Sequence, residues 1–288
     1  MWTLKRSGLL LGLLITAVHG IAQREWSEPF PPHRVAGNFY YVGSKGLASY
    51  LVATPEGHIL INGGLLTSVP LIQRSVEQLG FRFADIKVLL ISHAHWDHCA
   101  GSAEIKQLTG AKYMVMDADV PDVEGGGRGN FHYAHLPASF YPPTKVDRVL
   151  RDRDEVRLGG SVLVARHTPG HTKGTTTWTA QVRENEKTFH IVIVGSPNVN
   201  EGYRLFGNPH YPNIADDFTR GFEVLRALPC DVFLGAHGGY YGMEAKFARL
   251  KEGATNPFID PEGYKAYVAN REQAFRAEKA KQEAARTK

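Results

Sequence analysis

The sequence predicts an α/β fold in which two similar halves set their sheets face to face. Three observations point there. Short apolar runs alternate with segments of helical periodicity, the order expected of layered α/β proteins. The same grammar recurs in the second half, and no Pro/Gly-rich or charged linker separates the two. The chain has 288 residues, 43% hydrophobic and 22% charged, which suits one large globular domain with a core of two layers or more.

Taken in order, the chain opens with Lys5 and Arg6, an apolar run over 9–18, and small residues at Gly20 and Ala22. A basic start, an apolar middle and small residues near the cut make a secretory signal. The run is too short to span a bilayer comfortably. Residues 1–22 are assigned to a signal peptide and 23–288 to the mature domain, so the protein is expected to be exported, into a bacterial periplasm. Residues 23–36, with Pro29, Pro31 and Pro32, read as an N-terminal arm outside the core. Residues 39–42, 48–54 and 58–62 read as strands, with turn signals at 43–46 and 55–57. Residues 69–80 carry Leu71, Ile72, Val76 and Leu79 at helical spacing, and Gly80 is a stop. A buried strand over 88–91, a helix over 100–109 ended by Gly110, and a strand over 113–116 follow.

Residues 122–141 break the pattern. Gly125, Gly126, Gly127 and Gly129 precede Phe131, His132, Tyr133 and His135. The segment reads either as a flap that presses aromatics onto a substrate or as a plain surface loop. Strands are predicted over 146–150, 155–158, 161–167, 176–182, 190–194 and 232–234. A helix is predicted over 214–228, with Phe218, Phe222, Leu225 and Leu228 on one face. The last stretch, 261–288, reads as a charged helix packing one side.

The chemistry centres on Ser92, His93, Ala94, His95, Trp96, Asp97, His98 and Cys99, which follow the 88–91 strand. His93 and His95, two apart in an extended segment, point the same way. Asp97 and His98 come after the chain has begun to turn. Four such donors buried together without a metal would repel when protonated and cost desolvation when not. Zinc takes imidazole nitrogen and carboxylate oxygen, usually with four ligands, so further donors are needed. Histidines follow two later strands: His171 in Thr168–Pro169–Gly170–His171–Thr172, and His237 in Gly235–Ala236–His237–Gly238–Gly239. Gly195–Ser196–Pro197 follows a third. The net charge of +4 is spread without a basic stripe, so nucleic-acid binding is not indicated. The two cysteines, Cys99 and Cys230, could pair by count, but sequence cannot place them within bonding range.

The order His93, His95, Asp97, His98, then His171, then His237 resembles the metallo-β-lactamase superfamily over nearly the whole mature chain. The resemblance implies a four-layer αβ/βα sandwich with two zinc ions at one edge between the sheets. Most hydrolases of that superfamily carry a metal-bridging aspartate where Ser196 stands here, and Glu201 and Asp216 lie too far on. A serine there matches class B β-lactamases of subclass B3. Gly174, Thr176, Thr177 and Trp178 agree, as do Gly202, Tyr203, Asn208, Pro209, Tyr211, Pro212, Asn256, Pro257 and Phe258. Two departures stand out. Tyr264 occupies the position of a cysteine that pairs in some relatives with the Cys230 position, which leaves Cys230 as a buried free thiol. Thr175 replaces another common cysteine.

By this resemblance, His93, His95 and His171 hold one zinc, and Asp97, His98 and His237 the other. A zinc-bound hydroxide then attacks the β-lactam carbonyl of penicillins, cephalosporins or carbapenems, conferring antibiotic resistance. Asp97 fixes the second zinc and orients the hydroxide. Ser196, Asn198 and Asn200 lie on the loop that relatives use for substrate contact, and Trp96 is a wall candidate. The expected partner is a small β-lactam alone, with no nucleic acid, and no membrane once the signal is removed. The expected state is a monomer in a Gram-negative periplasm. The competing readings are a lactonase or thioesterase of the same superfamily, a zinc-binding module without turnover, and a nucleic-acid-processing member. The missing bridging carboxylate and the export signal argue against the first. Open coordination positions argue against the second, and export without basic patches against the third.

Overall fold

The computed structural model describes residues 25–184 and 186–286, so the signal assignment over 1–22 lies outside the described residues. The first sheet holds β1 (His33–Ala36), β2 (Phe39–Tyr41), β3 (Tyr50–Thr54), β4 (Gly57–Ile61), β5 (Ile86–Leu90), β6 (Lys112–Met116) and β7 (Arg148–Leu150), side by side in chain order. Its first four strands pair antiparallel through short connections. From β4 to β7 the pairing is parallel. Parallel neighbours need crossovers, and the helices Val69–Gln78 and Ser102–Thr109 supply the first two.

The second sheet runs in the order β12 (Val232–Gly235), β11 (Lys187–Val194), β10 (Thr176–Glu184), β9 (Ser161–His167) and β8 (Glu155–Leu158). It is antiparallel except for β11 and β12, which the helix Ile214–Ala227 joins. Side chains alternate across strands, and the burial follows that period. Val52, Ile59, Ile61 and Leu90 face Leu163, Trp178 and Ile193 of the second sheet. Leu51, Leu60 and Leu89 face the opposite way, onto Val69, Ile72, Val76 and Ile105 of the first helix layer. On the far side Phe218 and Phe222 pack on Phe275 of the terminal helix Pro261–Arg286, with ring centroids 5.2 and 5.6 Å apart. Helix, sheet, sheet, helix is the four-layer sandwich expected. Among the described residues no helix is long and apolar enough to cross a membrane.

Two expectations are corrected and one unforeseen helix is added. The segment 23–36 is not outside the core: its end forms β1, where Val35 is 2% and His33 7% exposed. The His33 ring stacks between Tyr41 and Phe258, at 5.3 and 5.5 Å, and the prolines stop short of the strand they border. The helix Met243–Lys251 was not anticipated, because its buried face includes a lysine, Lys246, paired to Asp260 at 2.8 Å. Cys230 is free but only half-buried, packed against the core between the sheets, while Cys99 is buried in the other core. Tyr264 is buried as a phenol that donates to the Leu225 carbonyl at 2.6 Å.

Two bonds stitch the sheets together at one edge. The Trp178 indole donates to the Ile91 carbonyl at 2.9 Å, and the Thr176 amide to the Ser92 carbonyl at 2.7 Å. Both lie at the loop that leaves β5, where the histidine cluster begins.

Candidate metal centre

Each candidate donor leaves the end of a strand. Beyond β5 the chain is steered by Asn62, which sits in the left-handed region at φ 67°. Its Oδ1 accepts from the Ser92 amide at 2.8 Å, and its Nδ2 donates to the Ala48 carbonyl at 3.1 Å. His95 ends the extended stretch and caps the short helix Trp96–Cys99. That turn swings Asp97 and His98 away from the direction of His93 and His95. His171 follows β9 through Gly170 at φ 128°, where an added Cβ would meet the Phe218 ring at 2.5 Å. Only glycine lets the turn sit on that ring. His237 follows β12 and pairs through its backbone with Leu47.

These loops bring all six donors together. His93, His95 and His171 place their ligand nitrogens within 4.8 Å of one another, and so do His93, Asp97 and His98 with theirs. His98 Nε2 lies 3.1 Å from both Asp97 Oδ2 and His237 Nε2, and His237 Nε2 lies 3.5 Å from Asp97 Oδ2. Burial, reinforced by neighbouring imidazoles, depresses His93 and His95 well below the ordinary histidine value. Burial likewise takes His171 down to about 4 and His237 to about 3. Burial pushes Asp97 the other way, but His98 and His237 beside it outweigh that and hold its carboxyl below the usual range.

The donor set fits a metal. Neutral imidazoles and an ionised carboxylate are the forms that bind zinc. His98 Nε2, His237 Nε2 and Asp97 Oδ2 lie within 3.5 Å of one another, a set of donor atoms that a cation among them would satisfy. His95 Nε2 is buried without a hydrogen-bond partner, which is rare unless a ligand satisfies such a group. Cys99 stands apart, with its thiol donating to the His95 carbonyl at 3.1 Å.

The depressed histidines make the metal-free protein pH-sensitive. As pH falls below about 6.5 the unfolded chain takes up protons that the folded one refuses until about 4 for His171 and about 3 for His237. Their contribution is therefore full above pH 6.5 and is lost as pH falls through that window. At about 1.4 kcal/mol per unit, His171 alone accounts for roughly 3 kcal/mol. Urea unfolding of chelator-treated protein is expected to show a clearly lower midpoint near pH 5 than near pH 7.5, and equal midpoints would contradict it.

The donors are themselves held. His171 Nδ1 donates to the Asn198 carbonyl at 2.7 Å, which leaves its Nε2 lone pair free for a metal. The Tyr203 hydroxyl donates to the His171 carbonyl at 2.8 Å, and the Tyr141 hydroxyl to the Ala94 carbonyl at 2.9 Å. Asp119, 1% exposed, accepts from the Ala94 amide at 2.9 Å, the Thr172 hydroxyl at 2.8 Å and the Gly174 amide at 2.7 Å. It thereby ties the His93–His95 segment to the His171 loop. Burial, with Asp122 nearby, pushes its carboxyl up to about 7.

A cleft of 660 Å³ opens over this edge. His95, Asp97, His171 and His237 line it, with Trp26, Trp96, Tyr133, Tyr240 and Tyr267 as aromatic walls and Asn198, Asn200, Asn270 and Arg271 as polar ones. The glycine-rich segment thus contributes Tyr133, whose hydroxyl accepts from Asn200 Nδ2 at 2.9 Å. Ser196 does not line the cleft. It is 2% exposed, with its hydroxyl 3.1 Å from that of Tyr240, because it sits behind Asn198. Sequence reasoning missed Asp119, Trp26, Tyr240 and Arg271. Only Asp119 carried a signal, as an acid just beyond the end of β6.

The family model for the metallo-β-lactamase superfamily matches residues 46–183. The FEZ-1 metallo-β-lactamase from Legionella gormanii is 50% identical, with 89% of this chain and 98% of that one aligned at a TM-score of 0.88. This chain belongs to the metallo-β-lactamase superfamily. Among its structural neighbours in the superfamily are subclass B3 enzymes. BJP-1 of Bradyrhizobium japonicum is 38% identical over 92% of this chain and 99% of that one, at a TM-score of 0.85. LRA-12 from an Alaskan soil metagenome, described as a class B3 di-zinc enzyme, is 32% identical over 88% of this chain and 96% of that one, at a TM-score of 0.84.

Proposed function

We propose that this protein is a zinc-dependent β-lactamase that opens the lactam ring of penicillins, cephalosporins and carbapenems by hydrolysis. The reading rests above all on 50% identity, over nearly all of its length, to a metallo-β-lactamase. The convergence of His93, His95 and His171 beside Asp97, His98 and His237 agrees with it. Two zinc ions held by these two triads would supply a water that ionises near neutral pH and a Lewis acid for the carbonyl oxygen.

The chain's own groups do the rest. Asp97 would be one of the ligands, and its carboxylate would orient the attacking water. The water adds to the lactam carbonyl carbon, the C–N bond breaks, and the nitrogen leaves with a proton as a secondary amine. Ser196 is turned into Tyr240 and is not the nucleophile. Asn198 and Asn200 hold the substrate's polar edge, while Trp96, Tyr133 and Tyr240 pack its rings and exclude bulk water. With residues 1–22 removed as a signal, the mature protein works in a bacterial periplasm.

The test is hydrolysis of a carbapenem and a cephalosporin by purified mature protein, with and without a chelator. Ring opening is expected to stop with chelator and return with zinc. No turnover by protein carrying two zincs would overturn the assignment and direct attention to lactones and thioesters.

A further inference from the structure

We infer that Arg271, on the terminal helix, is the anchor for a carboxylate on the substrate and sets the preference for acidic substrates. The inference rests on the β-lactamase reading and deepens it. Arg271 is the one cationic side chain lining the cleft among the described residues. It has no ion-pair partner there, whereas the neighbouring Arg276 and Lys281 are paired to Glu272 and Glu278. Its Nη1 donates to Asn198 Oδ1 at 3.4 Å, and its Nε and Nη2 donate to Asn270 Oδ1. Two amide oxygens thus steady a guanidinium whose charge is not neutralised. Two of its five N–H donors are left for a ligand.

The placement is what an anchor requires. Asn198 accepts from Arg271 through its side chain and from His171 Nδ1 through its backbone carbonyl. One residue therefore sets the distance between the guanidinium and the donor edge. In a bicyclic β-lactam the carboxylate is carried on the carbon next to the lactam nitrogen. A carboxylate held on Arg271 leaves the amide pointing back at that edge. A planar fork matches carboxylate geometry bidentately. Asn200 and Asn270 flank the position with further amide donors.

The test compares a cephalosporin with its methyl ester, on wild type and on Arg271→Gln and Arg271→Lys. Kinetics are read with zinc, and binding is read in chelator-treated protein through quenching of Trp26 and Trp96, which line the same cleft. For the acid, Arg271→Gln is expected to raise KM about ten- to a hundredfold with little change in kcat, the scale of a lost charge-assisted hydrogen bond. The ester is expected to be nearly indifferent, and Arg271→Lys to fall between. Equal losses on acid and ester, or none on either, would overturn the anchor. If wild type turns over neither compound, the β-lactamase reading fails by itself. Acid-selective binding lost in Arg271→Gln would then still support the anchor, and binding blind to the charge would overturn it.

Discussion

His171→Ala is expected to release one zinc per chain and to lower kcat/KM by about three orders of magnitude. The three-imidazole group would keep only His93 and His95, and two nitrogens do not hold a four-coordinate ion firmly. The lost Lewis-acid contribution is several kcal/mol, which at about 1.36 kcal/mol per decade gives the stated scale. The substitution also frees the Asn198 carbonyl from its 2.7 Å bond, so the loop that carries Asn198 and Asn200 loosens as well. Zinc content after dialysis and steady-state hydrolysis check both parts, with circular dichroism as the control for folding. Full zinc content with full activity would remove His171 from the ligand set.

The second large effect is expected at a residue with no place in the ligand set. Asp119→Ala orphans the Ala94 and Gly174 amides inside the protein and leaves the Thr172 hydroxyl with Thr175 Oγ1 alone, at 2.9 Å. An unsatisfied buried donor costs about 1–3 kcal/mol, so two amount to at least about 2 kcal/mol of stability. The two histidine segments then lose their common tie, and zinc affinity is expected to fall about ten- to a hundredfold, the scale seen for partners that orient ligands. Asp119→Asn keeps the shape and one acceptor oxygen, but turns an amide NH2 toward a donor, and should land between. Thermal unfolding and competitive zinc titration of both variants test this. Wild-type values in Asp119→Ala would show that the histidine segments hold themselves.

The metal edge was legible in the sequence because its donors come in a fixed relation to strands. His93, His171 and His237 each follow an apolar run within a few residues, and such runs announce themselves by composition. What escaped was assembled by chain returns that leave no local trace. Asp119 meets Thr172 from 53 residues away, and Arg271 meets Asn198 from 73. Trp26 lies before the first strand, where prolines concealed that a strand was near. The helix Met243–Lys251 hid for a different reason: pattern reading places lysine outside, and Lys246 is buried against Asp260. Apart from β1, which was read as part of an arm, the strands were readable to within a few residues, because apolar runs survive even in short strands.

The donors divide unequally along the chain, four before residue 100 and two after residue 170, and the cleft lies on the seam where Trp178 and Thr176 meet Ile91 and Ser92. An ion held there is a rivet through two plates. Because it binds only the closed arrangement, each tenfold rise in free zinc above the dissociation constant adds about 1.4 kcal/mol to the cohesion of the plates. Withdrawing zinc is therefore expected to weaken the joint and to make the seam more accessible to proteases. Zinc scarcity would shorten the lifetime of the protein as well as silence it.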